Sequence, residues 1–215
     1  MKEILALDLS SKPGWAHLSV QDESVRLVKY NTLFPDKSVK DFGEYPYNYM
    51  LFCEHIADGV MLIYDLIHLN LPEVHVVIEE TTGSKNNYSQ KMLEFIHFAI
   101  AKRMFDRNQK LNYVRTGIWR GIVGARQNEE EKRLNSQIAR IKKKTGEKLA
   151  KIDGKVVGKR TKKHYALRAF KQHFGIELPR KMEDACDAAL VGLAYAKGAP
   201  ICDGTVNGGT AGVRN

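Results

Sequence analysis

Two aspartates interrupt an otherwise apolar stretch close to the end of this 215-residue chain. Asp184 and Asp187 lie in KMEDACDAALVGLAYA, positions 181–196, where apolar residues recur at helical spacing. Residues three apart share one face of a helix, so the two like charges are neighbours there. Carboxylates on a helix that packs into a core are costly unless a cation meets them. The spacing therefore indicates a pair of acids that binds a cation.

Two further acids follow apolar runs that are typical of buried strands. Asp8 ends KEILALD, and Glu79 follows the apolar residues of EVHVVI, with Glu80 beside it. Buried strands of α/β proteins end at the edge of the sheet where ligand sites usually form. If these strands are neighbours and the last helix crosses their ends, four carboxylates meet. Oxygen ligands suit Mg²⁺ or Mn²⁺, and two such ions about 4 Å apart stabilise the attacking and leaving oxygens of a phosphodiester displacement.

Taken one at a time, these acids have simpler explanations. Asp8 would cap a turn, and Glu79 and Glu80 would face solvent. Asp184 and Asp187 would lie in the first turn of a helix, where the macrodipole favours acids. One acid after the first strand, one after the fourth and two on the last helix form a more specific pattern, and this pattern favours a metal site.

The elements that must position these acids read as one α/β domain. The chain up to position 33 predicts three strands of an antiparallel meander. A helix over 47–70, a strand, a helix over 88–108, another strand and further helices follow. This order predicts a five-stranded mixed sheet flanked by helices, with three antiparallel strands and two added through helical crossovers. The residues placed on or near the apolar side of the helix over 88–108 are Met92, Phe95, Ile96, Ala99 and Phe105.

The predicted domain covers residues 1–198 and carries a segment of different composition. Apolar residues are sparse and Lys is dense over about 125–163, which predicts a basic insertion made of helix or loop. The Gly-rich segment 199–215 has little to bury, which predicts a flexible tail.

The net charge is +9, and it is unevenly distributed. Residues 126–181 contain 18 Lys and Arg against 6 Asp and Glu, a local net charge of +12. Such an excess favours a polyanionic partner, most simply nucleic acid, over an ordinary solvated surface.

Composition also bears on the compartment. No apolar run reaches the roughly 18 residues that a bilayer-spanning helix needs, and the N-terminal stretch does not resemble a signal peptide. Cys53, Cys186 and Cys202 are far apart and odd in number, which is typical of a reducing compartment. We therefore expect a cytoplasmic protein without a membrane partner, in a bacterium or a phage-infected cell.

Together these stretches resemble the RuvC-type nucleases of the RNase H-like superfamily. The resemblance is carried by ILALDLSSKPGWA (4–16), VVIEE (76–80) and EDACDAALVGLAYA (183–196), in the order of the family. Two further stretches also resemble family members from phages and organelles: IWRGIVG, and KKHYALRAF, which follows the basic stretch. The resemblance runs from residue 4 to about 196, although 125–160 is unmatched, and it implies an RNase H-like fold.

The resemblance implies a homodimeric endonuclease that cuts Holliday junctions and related branched DNA and leaves a 5′-phosphate. It implies that Asp8, Glu79, Asp184 and Asp187 are catalytic and hold Mg²⁺ or Mn²⁺, with two ions in each site. Glu79 is preferred to Glu80 because it follows the apolar pair directly, and a shift of one residue turns a strand side chain to the other face.

Basic residues in and beside the insertion are predicted to contact DNA. Lys163, or its neighbour Lys162, matches a basic position near the family's site and would contact the scissile phosphate or steady the attacking water. Lysines along the insertion would follow a phosphate backbone. The predicted DNA contacts are Lys142, Lys143, Lys144, Lys159, Arg160, Lys162 and Lys163.

One departure from the family and several alternatives stay open. Bacterial members carry an aromatic residue shortly after the strand-ending Glu, whereas the matching stretch here is TTG and the nearest aromatic residue is Tyr88. The carboxylates also fit another RNase H-like nuclease that acts on flaps, replication intermediates or RNA–DNA hybrids, or a transposase-like strand transferase. LDLSSKPG also resembles a phosphate-binding hairpin of actin-like ATPases, but we find neither the second related domain nor the second phosphate loop that those proteins need. A non-catalytic DNA-binding module is a further alternative, which the four matching acids disfavour.

Overall fold

A computed structural model describes residues 1–69, 71, 73–80 and 87–202 of the chain. The strands of its central sheet are β1 (Lys2–Asp8), β2 (Gly14–Gln21), β3 (Ser24–Thr32), β4 (Val74–Glu80) and β5 (Leu111–Arg115). Their order across the sheet is β3-β2-β1-β4-β5. β1, β2 and β3 pair antiparallel, whereas β4 and β5 run parallel to β1. The predicted mixed α/β sheet is thus confirmed, strand for strand.

Helices connect and flank these strands. They are α1 (Tyr47–His68), α2 (Asn87–Asp106), α3 (Thr116–Ile122), α4 (Glu129–Thr145), α5 (Lys162–Phe174) and α6 (Glu183–Ala196). α1 links β3 to β4 and α2 links β4 to β5, so these two helices supply the crossovers that parallel strands require. Among the helices of the described part of the chain, none has the length and apolarity needed to span a bilayer.

The sheet is buried on both faces because side chains alternate along each strand. Leu5 and Leu7 of β1 pack in a core with α1 and α2. Ile4 and Ala6 pack on the other face, in a core that α6, α5 and α3 complete. On α2, Ile96 and Ala99 are buried as predicted.

The prediction was wrong for two other residues of α2. Phe95 is 49% exposed and Phe105 is 81% exposed. The buried stripe runs instead through Ile96, Ala99, Ile100 and Met104. These two aromatic rings therefore belong to the surface of the molecule and contribute little to its core.

α6 lies directly on the sheet because small residues face the strands. Residues of α6 are buried in the core on this face of the sheet, namely Ala189, Leu190, Leu193 and Ala194, and Ala185 is buried as well. A Cβ atom placed on Gly192 would lie 2.5 Å from Leu18 Cδ1 and 2.8 Å from Ala6 Cβ. The last helix can thus approach the sheet closely enough to reach the end of β1.

The basic insertion forms a helix followed by a hairpin. α4 is joined to the short strands β6 (Ala150–Ile152) and β7 (Lys155–Val157), and we call residues 129–160 the basic arm. Asn135 anchors the arm: its amide donates to the carbonyl of Arg160 at 3.0 Å and accepts from the Arg160 N–H at 2.7 Å. These two hydrogen bonds attach α4 to the end of the arm that leads into α5. Of the tail predicted over 199–215, residues 203–215 lie outside the described part of the chain.

Candidate active site

Three carboxylates from three separate elements meet at one edge of the sheet. Asp8 is the last residue of β1 and Glu79 is the penultimate residue of β4. These strands are parallel neighbours in which Leu7 pairs with Ile78, so the two acids are adjacent. Asp187 enters from α6, and one carboxylate oxygen of each acid lies within 4.8 Å of the others. The structure thus brings together three of the four acids predicted for the site.

A glycine on β2 allows α6 to come this close. Gly14 pairs with Asp8 across the β1–β2 ladder. A Cβ atom there would lie 2.0 Å from both the carbonyl carbon and the carbonyl oxygen of Asp184, and 2.5 Å from the backbone nitrogen of Ala185. The sequence KPG indicates a turn at this point. The structure shows a second reason for glycine, because only a residue without a side chain fits under the first turn of α6.

The other acids of the two motifs lie outside this group of three. Asp184 is half-buried on the first turn of α6 and is not among the residues whose ligand atoms lie within 4.8 Å of one another. Glu80 accepts hydrogen bonds from Arg115 Nε at 3.1 Å and from Cys202 Sγ at 3.0 Å. The structure therefore brings Glu79, and not Glu80, together with Asp8 and Asp187.

Glu79 is held in place by two donors from α3. Thr116 Oγ1 donates to Glu79 Oε1 at 2.6 Å, and Trp119 Nε1 donates to the same oxygen at 3.0 Å. Glu79 itself is only 8% exposed. Neither donor was identified from the sequence, although both lie in or just before the IWRGIVG stretch that contributed to the family resemblance.

Asp187 of α6 is paired with an arginine of α3. Arg120 Nη2 donates to Asp187 Oδ2 at 2.9 Å, and both side chains are largely buried. The guanidinium lies over the ring of Trp119, 4.1 Å from its centroid. The second carboxylate oxygen, Asp187 Oδ1, is buried and has no hydrogen-bond partner within the described part of the chain. Such an oxygen is a free ligand position on one of the three clustered acids.

Burial and neighbouring carboxylates raise the pKa values of acids in and beside the cluster. Burial, followed by the nearby charges of Glu79 and Asp187, raises the pKa of Asp8 well above its ordinary value. Burial raises the pKa of Asp187 to about 7, although Arg120 opposes the shift. Burial also raises the pKa of Asp184. A divalent cation would relieve this repulsion, so the residues present fit Mg²⁺ or Mn²⁺.

Comparison with solved structures identifies the fold on which these acids lie. No family model matches the chain, and no curated protein matches it. Among solved structures, Thermus thermophilus RuvC in complex with a Holliday junction substrate matches with a TM-score of 0.57 at 10% identity, over 91% of this chain and 93% of that one. This chain has the RuvC fold.

Two further solved structures share the RuvC fold with this chain. A second structure of Thermus thermophilus RuvC matches with a TM-score of 0.54 at 13% identity, over 90% of this chain and 93% of that one. The yeast mitochondrial Holliday junction resolvase Ydc2 matches with a TM-score of 0.50 at 10% identity, over 91% of this chain and 78% of that one. At these identities the likeness concerns the fold, and the chemistry rests on the residues of this chain.

Two of the predicted basic residues, Lys162 and Lys163, lie beside the acidic cluster. Lys163 Nζ forms an ion pair with Glu183, and this hydrogen bond raises the pKa of Lys163. The carbonyl of Lys162 accepts from Arg120 Nη1 at 3.4 Å, which places the start of α5 next to the cluster. Lys142 is half-buried. The exposed members of the set are Lys143, Lys144, Lys159, Arg160, Lys162 and Lys163.

The departure from the family pattern after β4, TTG in place of an aromatic residue, falls in a loop that the structure describes only in part. The TTG stretch, residues 81–83, lies outside the described residues. Tyr88 is described, on the first turn of α2, where its ring lies edge-on to that of Tyr49 at a centroid distance of 4.6 Å.

Proposed function

We propose that this protein is a metal-dependent endonuclease that cuts Holliday junctions and related branched DNA. The observation that carries the proposal is the group formed by Asp8, Glu79 and Asp187, which joins two strand ends and the last helix of a RuvC fold. Three converging carboxylates with a buried, unpartnered oxygen fit a divalent cation better than they fit a packing role. The basic arm supports a polyanionic substrate.

In the proposed mechanism, the carboxylates are the metal ligands. Asp8, Glu79 and Asp187 hold the ions, with Asp184 next to them on α6. Two bound Mg²⁺ or Mn²⁺ ions would supply Lewis-acid activation of water and charge stabilisation of the leaving oxygen. Because one oxygen of Glu79 is taken by two donors, its other oxygen is the one left for a cation. No protein nucleophile is needed, and the product carries a 5′-phosphate.

Basic residues bind and orient the DNA in this proposal. Lys163 lies at the start of α5 with its side chain 63% exposed, and it contacts the scissile phosphate or steadies the attacking water. Lys162 and Arg160 extend this basic surface from the catalytic edge towards the arm. Lys142, Lys143 and Lys144 continue it along the last turn of α4. Each phosphate neutralised in this way makes binding more sensitive to salt.

We further propose that the protein acts as a homodimer, which would allow two active sites to cut two strands of one junction. Large apolar side chains on the surface of α2 offer a contact area for a second copy. Phe98 is 68% exposed, in addition to Phe95 and Phe105. Apolar surface of this kind is stabilised by burial between subunits.

Cleavage of defined substrates tests the proposed function. Labelled four-way junctions, flaps, duplexes and RNA–DNA hybrids would be incubated with the protein and Mg²⁺ or Mn²⁺, and the nicks mapped. Symmetric paired nicks restricted to four-way junctions are the expected result. Nicks in flaps or hybrids would instead identify another nuclease activity of the same fold, and no cleavage with retained binding would identify a non-catalytic module.

Substitutions of the acids test the site within the same assay. Asp8→Asn and Glu79→Gln are expected to abolish cleavage and to leave junction binding intact or tighter, because each removes a negative charge near DNA. Glu80→Gln is the matched control, because the carboxylate of Glu80 accepts a hydrogen bond from Arg115 and is not one of the three clustered acids. Cleavage by Asp8→Asn at the full rate would show that the site assignment is wrong.

A further inference from the structure

α3 carries three side chains at positions i, i+3 and i+4 that contact the acidic cluster. β5 pairs with β4 so that Val114 lies opposite Glu79, and α3 begins two residues later. Thr116 and Trp119 therefore point back at Glu79, while Arg120 reaches Asp187. A seven-residue helix thus contacts two of the three clustered carboxylates.

The contacts to Glu79 converge on a single atom. Thr116 Oγ1 and Trp119 Nε1 both donate to Oε1, at 2.6 Å and 3.0 Å. The Trp119 side chain is completely buried, so its indole N–H is fixed in direction by the packing around the ring. Two donors on one oxygen fix the rotation of the carboxylate and aim its other oxygen. Thr116 also lies 3.4 Å from the carbonyl of Glu80, which ties the helix start to the end of β4.

We propose that Trp119, together with Thr116, is a positioning residue that orients Glu79 for divalent-metal binding. This inference rests on the proposed function, because it takes Glu79 as a metal ligand. This positioning role requires neither contact with the substrate nor transfer of a proton. Hydrogen-bond partners of metal ligands typically change metal affinity by about 10–100-fold when they are removed.

The tryptophan content of the chain provides a direct measurement. The chain has two tryptophans, Trp15 and Trp119. Trp15 packs in the core with α1 and α2, whereas Trp119 packs in the core on the opposite face of the sheet. In Trp15→Phe, all tryptophan fluorescence comes from the indole that bonds to Glu79. Addition of paramagnetic Mn²⁺ is expected to quench this emission, without DNA and without any turnover.

Affinity for Mn²⁺ alone, measured from the free ion by electron paramagnetic resonance, tests the positioning role. Trp119→Phe keeps an aromatic ring and removes the N–H donor, so the Kd for Mn²⁺ is expected to rise about 10–100-fold. Trp15→Phe is the matched control, because it makes the same change in the other core and should leave the Kd unchanged. Thr116→Val should weaken binding in the same direction, whereas Thr116→Ser keeps the hydroxyl and should restore it. Thermal unfolding of each variant would verify that it is folded.

The outcomes separate this inference from the proposed function. Wild-type affinity in a folded Trp119→Phe variant, or equal losses in Trp119→Phe and Trp15→Phe, would overturn the positioning role even if junctions are cut. A wild-type protein that binds Mn²⁺ and loses affinity in Trp119→Phe, but cuts no junction, would uphold the positioning role and reject the proposed nuclease. If Trp119→Phe does not fold, the Thr116→Val and Thr116→Ser pair decides the question alone. Absence of Mn²⁺ binding by the wild type would overturn both.

Discussion

Arg120 meets the acidic cluster with one positive charge, and this is too little to balance it. The guanidinium bonds Asp187, yet the pKa of Asp187 stays near 7 and that of Asp8 stays well above its ordinary value. Burial is the largest cause in both residues, since it disfavours the charged form of a carboxyl group. In the metal-free protein, ionisation of these buried acids therefore destabilises the folded state, and this effect depends on pH.

The contribution of Asp187 to the stability of the metal-free protein should fall as the pH rises from about 4 to 7. Below pH 7 most of the folded Asp187 still holds its proton, because its pKa is about 7, whereas a carboxyl in the unfolded chain ionises near pH 4. This group thus binds more protons in the folded state, and its contribution to the free energy of unfolding declines with pH. Asp187→Asn should raise the Tm in EDTA at pH 7.5 by a few degrees, since about 1 kcal/mol shifts the Tm by about 2–4 °C at this size.

Thermal unfolding at pH 4 and pH 7.5 would check this prediction. Glu147→Gln, which changes an exposed acid of the basic arm, is the control and should alter the Tm little at either pH. An equal stabilisation by Asp187→Asn at both pH values would contradict the predicted titration of Asp187.

Single acids were predictable from the sequence, but their partners were not. The apolar pair before Glu79 and the end of β1 at Asp8 indicate which side chains reach the sheet edge. Trp119 and Thr116 gave no comparable signal, because their contact with Glu79 depends on how β5 lies next to β4. That pairing joins residues more than thirty positions apart, and no local pattern encodes it.

α6 delivers Asp187 to the site, and its approach depends on Gly14. A methyl group there would lie 2.0 Å from the carbonyl of Asp184, so either β2 or the first turn of α6 would have to move. Gly14→Ala is expected to cost about 1–3 kcal/mol, as overpacking typically does. Because Asp187 lies one turn further along the same helix, junction cleavage should fall more than stability does.

Gly158→Ala is a suitable control for the same substitution. A Cβ atom at Gly158 would have no heavy atom within 4 Å, so both the Tm and the cleavage rate should stay close to the wild-type values. Differential scanning calorimetry and single-turnover cleavage would measure the two effects. A Gly14→Ala protein with wild-type Tm and cleavage would show that the close approach of α6 is not required.

Elements with apolar periodicity were predicted well, and the basic insertion was predicted only in outline. α1, α2 and α6 carry buried stripes long enough to identify a helix. The β6–β7 hairpin was missed because its strands, AKI and KVV, have three residues each, which is too few to establish a strand pattern. The attachment of the arm depends on Asn135, whose amide contacts a backbone group 25 residues away, so the local sequence does not predict it.

Charge is segregated across the whole molecule, with acids at the sheet edge and lysines on the basic arm. This division predicts that binding of four-way junctions is strongly weakened by salt. Changing Lys142, Lys143 and Lys144 together to Gln should make the negative slope of log K against log salt less steep by up to about 3, since each lost phosphate contact contributes about 0.9. Fluorescence anisotropy over a salt series would measure this slope.

A triple variant with the same loss of charge provides the matched control. Lys102, Lys132 and Lys171 each pair with an acid, namely Asp106, Glu129 and Glu177. Changing these three to Gln removes equal formal charge away from the last turn of α4, and the slope should stay near that of the wild type. Equal slopes for the two triple variants would reject the last turn of α4 as a specific DNA contact.

The three clustered acids come from positions 8, 79 and 187, so the proposed cutting centre is complete only after α6 has been synthesised. A ribosome must pass Asp187 and release α6 before the sheet edge acquires its last ligand. Unfinished chains would already display the lysines of the arm, yet they would hold no complete catalytic centre. Translation itself would thereby delay nuclease activity, and two fragments divided at the hairpin turn, Asp153–Gly154, would each be inert until they reassociate.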